Sequence, residues 1–165
     1  MLVVGIDPGT ATTGYGFVRE LPDSSLEAVD YGVILTDPNQ PMSERLLILF
    51  DQLNNLLLLH HPDSGAVEKL FFQRNVTTAI SVGQARGVIL LAMGQSRIPI
   101  EEYSPLEIKQ AVAGYGRAQK SQIQHMVRAL LGLSEIPRPD DAADALAIAI
   151  CHLHSARMRA WTNNG

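Results

Sequence analysis

Hydrophobic positions along this chain follow two rhythms. Up to residue 35 they form short runs or alternate with polar residues. Leu2-Val3-Val4-Gly5-Ile6 is a β-branched run closed by Pro8-Gly9, Thr12 to Val18 is a second, and Leu26 to Leu35 alternates through Val29, Tyr31, Val33 and Leu35. Three strands joined by short links predict an antiparallel meander. Beyond residue 42 the spacing becomes helical. Ser43 is placed to cap a helix over 44–59, which His60-His61-Pro62-Asp63 ends. Gly65 to Phe72 predicts a fourth, buried strand, and a helix starting at Asn75 or Thr77 continues to about Gly94. Gly83 and Gly87 lie one turn apart on it, a bare stripe that lets another backbone approach.

Ile98 to Tyr103 reads as a fifth strand, and Ser104-Pro105 opens a helix that Gly114-Tyr115-Gly116 ends. An amphipathic helix over 121–131 follows. Pro137 and Pro139 mark a linker, and a last helix runs from Asp140 or Asp141 to about Arg157. The order βββ-α-β-α-β-α-α-α predicts one α/β domain over 1–157, a five-stranded mixed sheet flanked by helices. Residues 158–165 are expected to fray.

Against this frame three places carry carboxylates where burial is costly. Asp7 closes the first strand, Glu68 lies inside an apolar strand, and Asp141 and Asp144 begin a helix otherwise built of Ala, Leu and Ile. Each has an ordinary explanation: an Asx turn for Asp7, an edge strand for Glu68, N-terminal capping for the two aspartates. If the first and fourth strands are neighbours and the last helix crosses them, all four converge. Such a cluster calls for hard divalent cations, Mg²⁺ or Mn²⁺. Two ions about 3.5–4 Å apart suit phosphodiester hydrolysis.

Composition changes the picture in one respect. The 165 residues carry a formal charge of −4, which disfavours a nucleic-acid partner. The charge is uneven, however. Residues 1–67 hold two basic residues against nine acids, whereas 69–128 hold eight against three. Lys109, Arg117 and Lys120, with Arg74, Arg86 and Arg128, are candidates for phosphate contacts, and Phe71 or Phe72 for stacking on an unpaired base. The five histidines carry no recognisable metal spacing, and Cys151, the one cysteine, excludes a disulfide framework. The N-terminus lacks the basic start of a signal peptide and no apolar run reaches membrane-spanning length, so a cytoplasmic setting is expected.

The residues in order resemble the RuvC family, bacterial crossover-junction endodeoxyribonucleases. The matching segments are Gly5-Ile6-Asp7-Pro8-Gly9, Gly14-Tyr15-Gly16, Val67-Glu68-Lys69-Leu70-Phe71 and Gly83-Gln84-Ala85-Arg86-Gly87. Beyond them come Tyr103-Ser104-Pro105 with Lys109, Gly114-Tyr115-Gly116-Arg117-Ala118 with Lys120, and Asp141-Ala142-Ala143-Asp144. The resemblance implies a ribonuclease H-like fold, a homodimer and two symmetric Mg²⁺-dependent nicks in a four-way junction. It also implies 5′-phosphate and 3′-hydroxyl ends and a junction-binding and branch-migration motor complex of RuvA–RuvB type as partner. It assigns Asp7, Glu68, Asp141 and Asp144 to metal, Lys109 and Lys120 to catalysis or DNA contact, and Phe71 to bases near the crossover. Asp140 competes with Asp141 as ligand.

Three other readings compete. The Gly5-Ile6-Asp7-Pro8-Gly9-Thr10 run also suits a phosphate loop of the actin and chaperone ATPases, which need two lobes. The acids alone would serve a nuclease for RNA or RNA–DNA hybrids. A junction binder without catalysis would have no use for four carboxylates.

Overall fold

The computed structural model describes residues 1–69 and 76–163. Strands β1 (Leu2–Asp7), β2 (Thr12–Glu20) and β3 (Leu26–Leu35) form the expected meander, with β1–β2 and β2–β3 antiparallel. Helix α1 (Met42–His60) leads to β4 (Ser64–Glu68), which lies parallel to β1. Helix α2 (Val76–Gln95) leads to β5 (Ile100–Tyr103), parallel to β4. Helices α3 (Pro105–Ala113), α4 (Lys120–Leu130) and α5 (Asp140–Asn163) complete the chain. The sheet order is β3-β2-β1-β4-β5, so the α/β reading and its mixed sheet hold.

Alternation along the strands divides the core. Val4, Ile6, Phe17 and Ile34 face α1 and α2, where they meet Leu49, Leu53, Ile89 and Met93. Val3, Val18 and Ala66 face α3, α4 and α5, where they meet Ile108, Val127 and Leu146.

Several boundaries differ from the sequence reading. Ser43 lies inside α1 rather than capping it. The turn before it is tied by Asp37 Oδ1, which accepts from the Asn39 amide at 2.9 Å, and Pro41 then occupies the N-cap with extended backbone and no side-chain cap bond. Strand β5 starts at Ile100 because Pro99 has no amide to donate and the Ile98 amide closes the end of α2 on the Met93 carbonyl, 3.0 Å away. Lys120 begins α4, one residue early, because Gln119 and Gln122 form a reciprocal cap. Helix α5 continues six residues past Arg157 into the segment expected to fray, and the Arg157 guanidinium donates to Glu20 Oε1. Described strand β4 ends at Glu68, and residues 70–75 of the predicted strand and helix start lie outside the described residues.

The bare stripe on α2 meets no backbone of this chain at Gly87. Gly87 is exposed on α2, and a Cβ there would meet nothing within 4 Å, so it makes no close contact inside this chain. Close approach occurs on the other face. A Cβ on Gly5 would stand 2.2 Å from the Ala145 carbonyl oxygen, and one on Gly14 would stand 2.0 Å from that of Asp141. Only glycine lets the backbone of α5 lie directly on β1 and β2.

Candidate active site

Asp7 and Glu68 are the last residues of two parallel neighbours whose Ile6 and Val67 are in register. Both carboxylates therefore leave the sheet at the same end. Gly14 is Asp7's partner across β1–β2, and its missing side chain admits the first turn of α5 there. Asp141 and Asp144, three residues apart, are thus carried over the strand ends.

The electrostatics report the convergence. Burial, then the charges of Glu68, Asp144 and Asp141, push the Asp7 carboxyl up to about 8. Glu68 is raised by burial and by Asp144, with Lys109 and Lys120 opposing. Asp144 is raised by burial, against the pull of Lys120. The Lys120 ammonium donates to Asp144 Oδ2 at 2.9 Å and stands 3.5 Å from Asp140 Oδ2. The bond to Asp144 leads the causes that raise Lys120 further above its ordinary value, so it remains a cation.

The neighbouring acids divide. Asp140 Oδ1 accepts from Arg138 Nη1 at 2.7 Å and from Gln124 Nε2 at 3.0 Å, which turns it toward α4 and the preceding linker. Asp141, not Asp140, is among the charges that raise Asp7. Among the described residues no three His, Cys, Asp or Glu side chains stand close enough to chelate one ion as placed. The donor chemistry nonetheless fits a divalent ion: four carboxylates, no thiolate or imidazole, and mutual repulsion that a hard cation would relieve.

Of the basic candidates, Lys109 and Lys120 line a cavity of about 240 Å³ beside Glu68 and Asp144. Arg117 is exposed between α3 and α4, and Arg128 is exposed on α4. Arg86 pairs with Glu102 and so braces α2 against β5. Phe71, Phe72 and Arg74 lie outside the described residues. Two buried arrangements escaped the sequence reading. Arg45 Nε donates to Thr36 Oγ1 at 2.9 Å, and that hydroxyl donates to the Thr10 carbonyl in the loop after Asp7. His152 bridges Ser64 and Tyr103, each at 2.9 Å. Their polar residues sit singly in apolar surroundings, and only the fold pairs them.

The model of the crossover junction endodeoxyribonuclease RuvC family matches residues 3–152. The chain belongs to the RuvC family. It is 60% identical over 158 residues to the RuvC endodeoxyribonuclease of Desulfitobacterium hafniense, covering 96% of this chain and 95% of that protein. Its counterpart from Halothermothrix orenii is 54% identical over 166 residues, with full coverage of both. The solved structure of Thermus thermophilus RuvC in complex with a Holliday junction substrate superposes with a TM-score of 0.88 at 37% identity, covering 96% of each chain. The sheet is thus the ribonuclease H-like sheet of RuvC, a family of metal-dependent nucleases. Among the described residues no helix is long and apolar enough to cross a membrane.

Proposed function

We propose that this chain resolves four-way (Holliday) DNA junctions in recombination and repair. Acting as a homodimer, it makes two symmetric nicks that leave 5′-phosphate and 3′-hydroxyl ends. The observation that carries this reading is the convergence of Asp7, Glu68, Asp141 and Asp144 at one end of the sheet, with Asp7 raised by burial and by the other three. These four would hold two Mg²⁺ ions per subunit, with Mn²⁺ able to substitute. Bound ions supply neutralisation of the carboxylates and Lewis-acid activation of water and phosphate.

The chain's own residues do the rest. Lys120, anchored on Asp144, sets a fixed positive charge where a phosphate must approach four acids. Lys109 and Arg117 extend that positive rim, and Arg74 and Phe71 are assigned to DNA contact by the family resemblance. With one acid cluster among the described residues, each chain makes one nick, so paired nicks need two copies about a two-fold axis. The α2 surface suits that contact: Ile80 and Leu91 are exposed, with the bare Gly87 between them. The same family resemblance supports a cytoplasmic setting and a branch-migration motor of RuvA–RuvB type as partner.

The test compares a mobile four-way junction, a linear duplex and an RNA–DNA hybrid with Mg²⁺. Selective paired nicking of the junction is expected, and equal cutting of all three overturns the junction reading. Asp7→Asn should slow cleavage by more than about 10²-fold, since loss of an outer-shell partner alone costs 10–100-fold. Junction binding should be retained or tightened, because a negative charge is removed.

A further inference from the structure

Among the described residues five polar or charged side chains are buried, and three of them, Thr13, Thr36 and Arg45, serve one loop. That loop, residues 8–11, joins Asp7 at the end of β1 to Thr12 at the start of β2. Its carbonyls are taken one after another. Thr13 Oγ1 donates to Gly9, Thr36 Oγ1 to Thr10, and the Thr36 amide to Ala11 at 3.1 Å. Chemistry fixes the direction at Thr36, because a guanidinium only donates and a carbonyl only accepts. Arg45 Nε–H therefore donates to the Thr36 hydroxyl at 2.9 Å, and that hydroxyl donates onward to Thr10. A cation at the head of such a chain strengthens each bond in turn.

Packing alone does not account for Arg45. It closes the first turn of α1 with its amide on the Pro41 carbonyl, where a positive charge opposes the helix dipole. It is buried, and among the described residues it forms no ion pair. Arginine is seldom buried unless paired, and an apolar side chain would fill the same space at lower cost. We infer that Arg45 and Thr36 are positioning residues for the metal-binding acids: through the Thr10 carbonyl they hold the loop after Asp7, and so keep that side chain in place among Glu68, Asp141 and Asp144. The relay comes from the α1 side of the sheet, whereas Asp141 and Asp144 arrive on α5 from the other. The two sides thus fix the cluster independently. The inference rests on the metal-dependent reading of the acids and adds residues that act on them through the backbone.

The test is a Mg²⁺ titration of the full chain without DNA, followed by its backbone and arginine N–H signals in NMR. Thr36→Val keeps the shape of the side chain and removes the hydroxyl that joins Arg45 to Thr10. Its half-saturating Mg²⁺ concentration should rise about tenfold, the lower end of what outer-shell partners contribute. Thr36→Ser, which keeps the hydroxyl, should bring that concentration back toward the wild-type value. A purely structural relay would lower the urea midpoint of Thr36→Val and leave the half-saturation of the folded chain unmoved, and that result overturns the inference. Should Thr36→Val not fold, the wild-type chain decides. Its Arg45 Nε–H signal should shift as Mg²⁺ saturates, while that of Arg157, bonded to Glu20 at the far end of β2, should stay. An Arg45 signal that ignores Mg²⁺ overturns the inference. Failure to cut a junction by a chain whose Arg45 signal still answers Mg²⁺ would sink the resolvase reading alone.

Discussion

The two faces of the sheet are covered in different ways, and the difference explains where the chemistry sits. On one face α5 lies backbone against backbone over Gly5 and Gly14, with Ala142, Ala143, Ala145 and Ala149 all buried beneath it. On the other, α1 and α2 stand off on large side chains, among them Phe17, Leu49, Leu53, Ile89 and Met93. Contact through side chains can adjust, because rotamers share a misfit. Contact through backbone cannot. The rigid face is the one that brings Asp141 and Asp144 to Asp7, so geometry is fixed most tightly where carboxylate spacing matters. The adaptable face leaves Leu58, Ile80 and Leu91 exposed outside, free to meet a second copy.

The largest expected effect breaks the rigid face. Gly5→Ala places a Cβ 2.2 Å from the Ala145 carbonyl oxygen and 2.5 Å from the Ala149 amide nitrogen. Neither atom can turn aside, so α5 must lift. Urea unfolding should show a loss of about 3 kcal/mol or more, at the upper end of overpacking costs. A loss below about 1 kcal/mol would show that α5 is not seated as rigidly as the contacts require.

The same substitution on the other face should act in the opposite direction. Gly87 is exposed within α2, and its Cβ would meet open space. Gly87→Ala removes unfolded-chain freedom and improves helix propensity, so unfolding should become harder by about 0.5–1 kcal/mol. Size-exclusion chromatography of the same variant separates this gain from any change in self-association. A net loss with unchanged size would contradict the open space that a Cβ on Gly87 meets within the chain.

The glycines also mark what was legible in the sequence and what was not. Element order and the four acids could be read directly, because strand and helix periods differ and because Asp7, Glu68, Asp141 and Asp144 interrupt apolar runs. Between Asp140 and Asp141 the D-A-A-D spacing already favours Asp141, but the bonds that hold Asp140 could not be read, since Arg138 and Gln124 reach it only after α4 and α5 pack. Gly83 and Gly87 looked like the place of close approach because they are spaced for a helix face. Gly5 and Gly14 looked like ordinary strand and turn residues, because no local pattern says which helix will cross them. Local signals fix elements, and contacts between distant elements decide which exception to those signals carries function.

The last expected effect is conditional on pH and concerns a polar chain within the α3–α5 side of the core. Arg159 can only donate, and its Nη2 lies 3.2 Å from the Tyr103 hydroxyl. The same hydroxyl lies 2.9 Å from His152 Nδ1, and Ser64 Oγ lies 2.9 Å from His152 Nε2. Burial lowers the pKa of His152, Arg159 lowers it further, and Glu101 opposes. In the unfolded chain the ring takes a proton near its ordinary value of about 6.5, while the folded chain resists it. Stability from this group is complete above that value and is lost as pH falls below it, by at most about 1.4 kcal/mol per pH unit. Asp7, Glu68 and Asp144 act with the opposite sign in the metal-free chain, since their raised values make protonation favour the folded state. Urea unfolding between about pH 7 and pH 5 should therefore show a destabilising component that His152→Gln removes and Asp7→Asn does not. An unchanged slope in His152→Gln would mean that the folded chain does not resist protonation of this ring.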